Sequence, residues 1–466
     1  MIRLTLAEIA TAVGGTLVGG HPDTPVTGSV EFDSRAIGPG GLFVAFAGAK
    51  VDGHDFVDAA MAAGAVAVLG TRPGGAPSIV VSDCLAALGE LARAVVDRLP
   101  ALTVVGITGS SGKTSTKDLI GQLLARLGPT VAPAGSFNNE LGLPHTVLQA
   151  DEDTRFLVLE MGARGPGHLT YLCRIAPPRV GVVVNVGVAH IGEFGSVDAI
   201  EAAKGELIEA LPPDGLAVLN ADDDRVRRMV SRTSAAAVLV GEAPDAQVRA
   251  RDIRLDERGR ASFRLATPEG EVGVTLGISG RHQVTNALLA AAVTRSQGLP
   301  LTELGPALSE LRLVSTRRMD VFDRPDGVTV IDDSYNANPA STAAALRALT
   351  AIGRDRRTIA VLGYLAELGE QERAGHLEVG RLAAELGVDR VVVVGDNAAG
   401  IHDGTADVVR WGGESVLVPD QDAALRWLRE QLRAGDVVLV KGSRYRTWDV
   451  VDGLRSTVEV GEVVAP

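Results

Sequence analysis

Cysteine is almost missing from this sequence. Cys84 and Cys173 are the two in 466 residues, far apart and in no C-x-x-C pattern. That argues against a disulfide framework and a cysteine zinc cluster, and a reducing compartment fits. Aromatic residues are scarce as well, 3% of the chain against 46% hydrophobic, so the cores must be built mainly from Ala, Val and Leu. Positive charge is in deficit: 45 Lys and Arg stand against 58 Asp and Glu, a net charge of −13. No basic face is evident, which argues against nucleic acid or an anionic membrane surface as partner. No apolar run approaches the ~20 residues needed to span a bilayer. The opening residues lack the continuous apolar core of a signal peptide. A cytoplasmic protein without membrane insertion is expected. Internal repeats and long low-complexity linkers are also missing, and the chain is too long for one ordinary core, so two to four domains are expected.

What is there begins with Leu102–Lys117, LTVVGITGSSGKTSTK. Leu102 to Ile107 is the β-branched apolar run of a buried strand, broken by Gly109, Gly112 and the small residues Ser110 and Ser111 between them. Lys113, Thr114 and Ser115 open a polar segment expected to turn helical over 117–127. Strand, glycine loop and helix start form the geometry in which backbone N–H groups converge on phosphate. A lysine there supplies a point charge for the terminal phosphates, and a Thr hydroxyl stands where a magnesium ion would bridge them. The spacing is unusual. The common pattern G-x-x-x-x-G-K-[ST] requires glycine where this chain has Ile107, and the glycines are Gly106, Gly109 and Gly112. A plain flexible turn would leave the adjoining Lys-Thr without a reason, so a nucleoside triphosphate loop is the better reading. In an acidic protein, each cation beside such a loop gains importance.

The remaining chain reads as α/β in three units: 1–100, 101–314 and 315–466. The first carries two polar strings, Asp33-Ser34-Arg35 and Asp52-Gly53-His54, each also compatible with simple turn chemistry. In the second, strands alternate with helices, which favours a mostly parallel sheet covered on both faces. Glu160, Asn185 and His190 fall at the carboxyl ends of its strands, where open α/β sheets bind ligands. The string Ser136-Phe137-Asn138-Asn139-Glu140 precedes them, and Lys204 lies on a predicted helix over 196–210. Residues 240–275 are expected as a peripheral antiparallel excursion turning at 256–259. The third unit reads as a small doubly wound, Rossmann-like domain. Its strand ends carry Asp332-Asp333-Ser334-Tyr335-Asn336 and Lys441-Gly442-Ser443-Arg444, expected to face the glycine loop across a cleft.

Taken together, G-I-T-G-S-S-G-K-T, L-E-M-G-A, N-V-G-V-A-H, A-A-K-G-E and D-D-S-Y-N-A-N-P resemble the Mur ligases of peptidoglycan synthesis, from Asp33 to Arg444. The resemblance implies three domains: an N-terminal one for the UDP-sugar, a central ATPase with a P-loop-type mostly parallel sheet, and a C-terminal one receiving the amine. S-F-N-N-E-L-G and D-S-R…D-G-H resemble the branch that adds D-alanyl-D-alanine to UDP-N-acetylmuramoyl-tripeptide. The D-N-P-R signature of the diaminopimelate-adding branch has no match, since this chain reads Asn336-Ala337-Asn338-Pro339-Ala340. Two positions depart from the family pattern: Tyr364 stands where an acid is common, and Gln283 where asparagine is usual.

The resemblance also implies roles. ATP and two Mg²⁺ ions are expected, with Thr114 and Glu160 as ligands of the first ion and His190 and Lys204 of the second. Because an ammonium cannot bind a cation, Lys204 is expected to be carbamylated. Asn138, Asn139, Asn286, Arg318, Asp333 and Asn336 match positions around the nucleotide and the substrate carboxylate. Ser34, Arg35, Asp52, Gly53 and His54 match the uridine-nucleotide side. A monomer is expected. Rival readings are another Mur-type or folylpolyglutamate-type ligase with a different amine, and an ATP-driven switch that performs no ligation.

Overall fold

The fold is seen in a computed structural model that describes residues 1–48, 51–188 and 191–456. Three larger sheets follow one another along the chain. Strands Thr16–Val18, Val30–Glu31, Gly41–Ala45, Ala65–Gly70 and Ser78–Val80 make the first, with Gly41–Ala45 buried at every residue. Such uninterrupted burial is what a strand covered on both faces requires.

The second sheet has nine strands, with Thr103–Thr108 between Val180–Val183 and Phe156–Glu160, all parallel. Side chains alternate across it. Val104, Leu157 and Leu159 enter one apolar core, while Val105, Ile107 and Val158 enter another beneath the helices Lys113–Leu124 and Gln283–Ser296. From Thr103–Thr108 the chain winds to Thr130–Val131 and Phe156–Glu160 on one side, then crosses to Val180–Val183 on the other. This reversal puts a topological switch point at the carboxyl end of Thr103–Thr108, where the glycine loop emerges.

The glycine-loop helix starts at Lys113, four residues before the sequence suggests, and ends at Leu124. Thr114 and Thr116 are weak helix formers, and burial overrides that local preference. Strands Val248–Leu255, Arg260–Thr267 and Gly270–Ser279 are antiparallel to one another as expected, with the turn at 256–259. They are not a separate excursion, however. Ala236–Gly241 pairs with both Leu216–Asn220 and Val248–Leu255, so they extend the central sheet.

The third sheet runs Asp320–Asp323, Thr329–Asp332, Val437–Lys441, Thr358–Leu362, Arg390–Val394, Glu414–Val418, parallel except for its first strand. The helix after Thr329–Asp332 begins at Pro339. Asn338 accepts from the Ser341 N–H while Ser341 caps back, and proline at the first position needs no N–H partner. Asp333 to Asn338 are therefore a short, pinned connection at the carboxyl edge. One continuous apolar core, from Ile2 and Leu91 through Leu157 and Leu207 to Leu362 and Leu439, joins the three sheets.

Candidate active site

Gly112 is the residue before the helix and has φ +79°, a conformation L side chains rarely adopt. A Cβ there would also stand 3.0 Å from Asn286 Oδ1. The loop is held from behind by Asn185, whose Oδ1 accepts from the Ser110 and Ser111 N–H groups at 3.0 Å each. Ser110 Oγ bonds the backbone of Gly187 in both directions. The amides of Ser110 and Ser111 are thus committed to Asn185. Those left for a phosphate are at the helix start, where the first N–H groups have no intrahelical partner. Lys113 Nζ donates to Gly109 O at 2.8 Å, folding the side chain back over the loop. Burial pulls its pKa down, partly countered by the nearby Glu160 charge.

Glu160, the last residue of its strand, is buried and takes three hydrogen bonds. Thr114 Oγ1 donates to Oε2, and Ser136 Oγ and Asn138 Nδ2 donate to Oε1, each at 2.7 Å. Across the cleft, Arg318 Nη2 donates to Thr114 Oγ1 at 3.2 Å, and its guanidinium lies 4.1 Å from the Tyr335 ring centroid. Its neighbours Arg317 and Met319 both have positive φ, so this segment is held in a strained form. Lys441 pairs with Asp333 and donates to Asn336 O, while Asp333 Oδ1 accepts from the Met319 N–H.

These groups line one cavity of about 480 Å³. Ser110 to Ser115, Asn138, Asn139, Glu160, Asn286, Arg318, Asp333 and Asn336 all border it, so the cleft between the second and third sheets gathers most of the residues singled out in the sequence. Gly109 enters through the Lys113 bond. Asn139 borders the cavity while its Oδ1 caps the Gly142 N–H. Asn286 accepts from Thr116 Oγ1 and donates to Gln283 Oε1, so the unusual Gln283 buttresses Asn286 at the cavity wall.

Lys204 sits on the Val197–Glu209 helix and is 2% exposed. Burial, and then the charge of Lys113, push its pKa well below that of an ordinary lysine, so its amine is held toward the neutral form. His190 lies outside the described residues. Thr114 and Glu160 present adjacent oxygens, the donors a hard Mg²⁺ prefers, and such an ion completes its shell with water and phosphate oxygens. Among the described residues there is no group of three or more His, Cys, Asp or Glu that could hold a metal ion.

Ser34, Arg35, Asp52, Gly53 and His54 lie on two connections beside the first sheet, after Val30–Glu31 and after Gly41–Ala45. Asp33 holds Arg35, whose side chain is 88% exposed. The Arg35 side chain and backbone N–H, both bonded to Asp33, draw its carboxyl down to about 2. Asp52 accepts from the His54 N–H, meets its Nδ1 at 2.8 Å and pairs with Arg72, while His54 Nε2 accepts from the Thr71 N–H. A chain of rings leads from this group toward the cleft. Phe32 meets His145 at 5.2 Å, His145 meets Phe137 at 5.9 Å, and His145 Nε2 is 3.0 Å from Glu31.

Ser136, Tyr335 and Lys441 stood in polar strings, which was the available signal, but carried no role of their own; Asn185 stood at a strand end without a role, and its partners are 74 and 75 residues away. Tyr364, the other departure, donates to Glu372 and stacks beside His376 and Tyr445. Glu372 thus brings a carboxylate to the corner where position 364 lacks one.

A strand–loop–helix phosphate cradle, facing the strand ends of a second doubly wound sheet, is the construction of an ATP-dependent ligase. Family models match in chain order: Mur ligase family, catalytic domain over 28–104; Mur ligase middle domain over 107–294; and Mur ligase, glutamate ligase domain over 317–444. The chain is 49% identical to the UDP-N-acetylmuramoyl-tripeptide–D-alanyl-D-alanine ligase of Mycobacterium tuberculosis (strain H37Rv), with 95% of this chain and 96% of that protein covered. To the protein of the same name from Escherichia coli (strain K12) it is 36% identical at the same coverage. Among solved structures it resembles MurF from Acinetobacter baumannii, with TM-score 0.88, 31% identity and coverage of 97% and 99%. MurF from Thermotoga maritima in complex with ADP gives TM-score 0.80 at 30% identity, covering 93% and 99%. The chain belongs to the Mur ligase family.

Proposed function

We propose that this protein joins D-alanyl-D-alanine to UDP-N-acetylmuramoyl-tripeptide, converting ATP to ADP and phosphate, in the cytoplasm and as a monomer. The observation that carries this reading is the cleft itself: Lys113 and the Thr114–Glu160 pair on one wall, Arg318, Asp333 and Lys441 on the other. The names of the relatives that match over nearly the full chain support the choice of substrates.

A carboxylate does not condense with an amine in water, because it lacks a leaving group. In the proposed reaction a carboxylate oxygen of the tripeptide attacks the γ-phosphorus and ADP departs. The dipeptide amine then attacks the acyl carbon, phosphate departs with the C–O electron pair, and the amine loses its proton. The first step brings two anions together, so the work of the protein is positioning and neutralisation. Lys113, Arg318 and the helix-start amides oppose the phosphate charge. Ser136 and Asn138 fix Glu160. Asp333, Asn336 and Lys441 form the wall that residues 315–466 offer the nucleotide, and Asn286 stands on the opposite side. Ser34, Arg35, Asp52, Gly53 and His54 would hold the uridine end on residues 1–100, with the ring path from Phe32 to Phe137 leading to the cleft.

Thr114 and Glu160 would hold one Mg²⁺, and Lys204 as its carbamate with His190 a second; such ions neutralise phosphate charge. A neutral amine is the form that reacts with carbon dioxide, and a buried lysine with a depressed pKa supplies it. Among the described residues no helix is long and apolar enough to cross a membrane.

The test is phosphate release from ATP and the UDP-muramoyl-tripeptide, measured amine by amine. Release stimulated by D-alanyl-D-alanine is expected. Preference for another amine would point to a sister ligase, and release without any amine to a switch.

A further inference from the structure

Directly behind Thr114, on the same helix, lie two charged residues that the proposed chemistry does not use. Lys117 and Asp118 are 3% and 2% exposed at their side chains and pair at 3.0 Å. Being three and four residues on from Thr114, they share its face of the helix. Each is fully engaged. Lys117 Nζ donates to Pro133 O and, at 2.8 Å, to Gly135 O, and its charge is paired with Asp118. Asp118 Oδ2 accepts from the N–H groups of Val314 and Ser315, at 3.2 and 2.8 Å, and Oδ1 from Ser315 Oγ at 3.0 Å. The Gly135 N–H donates to Ser315 Oγ at 2.9 Å, closing a ring of contacts. One turn further along, Gln122 bonds the backbone of Arg312 in both directions.

The two segments gripped in this way each deliver groups to the reacting centre. The stretch after Gly135 carries Ser136 and Asn138, which hold Glu160. The stretch after Ser315 carries Arg318, which reaches Thr114, and leads into the third sheet. Burying a charge pair is costly, so its ion pairing alone is a weak reason to place one here. The feature apolar residues could not reproduce is a directional grip on two backbone carbonyls on one side and two backbone N–H groups with the Ser315 hydroxyl on the other.

We propose that Lys117 and Asp118 are positioning residues for the ligation: they fix the segments 133–138 and 312–318 to the phosphate-loop helix, so that Glu160 and Arg318 meet at Thr114. The pair thereby makes the root of the third sheet and the metal-binding carboxylate share one reference point. This inference rests on the ligase reading.

The decisive variant is the double exchange Lys117→Met/Asp118→Leu, which removes both charges and leaves no unpaired ion. A folded protein is expected, its melting temperature lowered modestly because the Val314 and Ser315 N–H groups and the Pro133 and Gly135 carbonyls lose a partner, with ADP affinity within about threefold of wild type. Its kcat should fall about 10- to 100-fold, the scale of an ångström-sized misplacement. Ser315→Ala, which removes the hydroxyl between Asp118 and the Gly135 N–H while keeping both charges, should lower kcat several-fold with the same split. Hydrogen exchange over 312–316 should quicken in both while that of the loop, 109–115, stays unchanged. If the double variant keeps a wild-type kcat, or if kcat and ADP affinity fall by the same factor, the pair is merely structural and the proposal is overturned. Should the double variant fail to fold, unchanged exchange and kcat in Ser315→Ala overturn it equally. Wild-type protein inactive with every amine would instead sink the ligase reading, which the exchange measurement does not depend on.

Discussion

Thr114 Oγ1 donates to Glu160 Oε2 at 2.7 Å while accepting from Arg318 Nη2, so a single hydroxyl links the phosphate-loop helix, the neighbouring strand and the third sheet. An arriving Mg²⁺ would have to displace the hydroxyl proton from that bond and take both oxygens as ligands. Replacing Glu160 by Gln should therefore lower phosphate release on the order of 10²-fold or more, and raise the Mg²⁺ concentration for half-maximal rate. Titration of the rate with Mg²⁺ checks this. Wild-type turnover by the Gln variant would remove Glu160 from the metal site.

Lys204 offers a second prediction. A buried lysine whose pKa burial lowers should take up carbon dioxide, and ¹³C-bicarbonate should give a carbamate signal by NMR that Lys204→Ala lacks, together with loss of activity. The pH dependence follows from the lowered pKa. Between the folded and unfolded pKa values the unfolded chain binds more protons, so stability rises with pH toward 10.5. Lys204→Met should thus be more stable than uncarbamylated wild type at neutral pH, by a margin that shrinks as pH rises. Melting temperatures across that range test the sign.

The first-sheet group should act on one substrate alone. Asp52 holds both His54 and Arg72, and His54 holds the Thr71 N–H. His54→Ala or Arg35→Ala should raise KM for the UDP-substrate about tenfold, a loss the size of one charge-assisted hydrogen bond, and leave KM for ATP unchanged. Equal rises in both constants would contradict the separation of the two sites.

Gly112→Ala tests the loop. A side chain at φ +79° costs ~1–2 kcal/mol, and the added Cβ also crowds Asn286 Oδ1. Weaker ADP binding by about tenfold and a lower melting temperature are expected from calorimetry; an unaltered ADP affinity would show that the loop tolerates the shift.

Much of this site was legible in the sequence because its signals are local. A β-branched run ending in spaced glycines and Lys-Thr needs no partner to be read, and strand-end polar strings mark the edge where a parallel sheet binds ligands. What stayed hidden depends on distant segments. Asn185 looked like one more polar strand end, since nothing beside it in the chain announces that it holds Ser110 and Ser111. Lys117-Asp118 reads as an ordinary solvated helix pair until the 312–315 segment packs over it. Strands 248–279 were legible as a meander, but their attachment to the sheet passes through Ala236–Gly241, which carries no turn or motif signal of its own.

Because Asn185 Oδ1 holds the Ser110 and Ser111 amides, the shape of the cradle is set by the protein's own hydrogen bonds. A loop pinned from behind in this way has less conformational freedom to lose when ATP binds, which keeps the entropy cost of capture low.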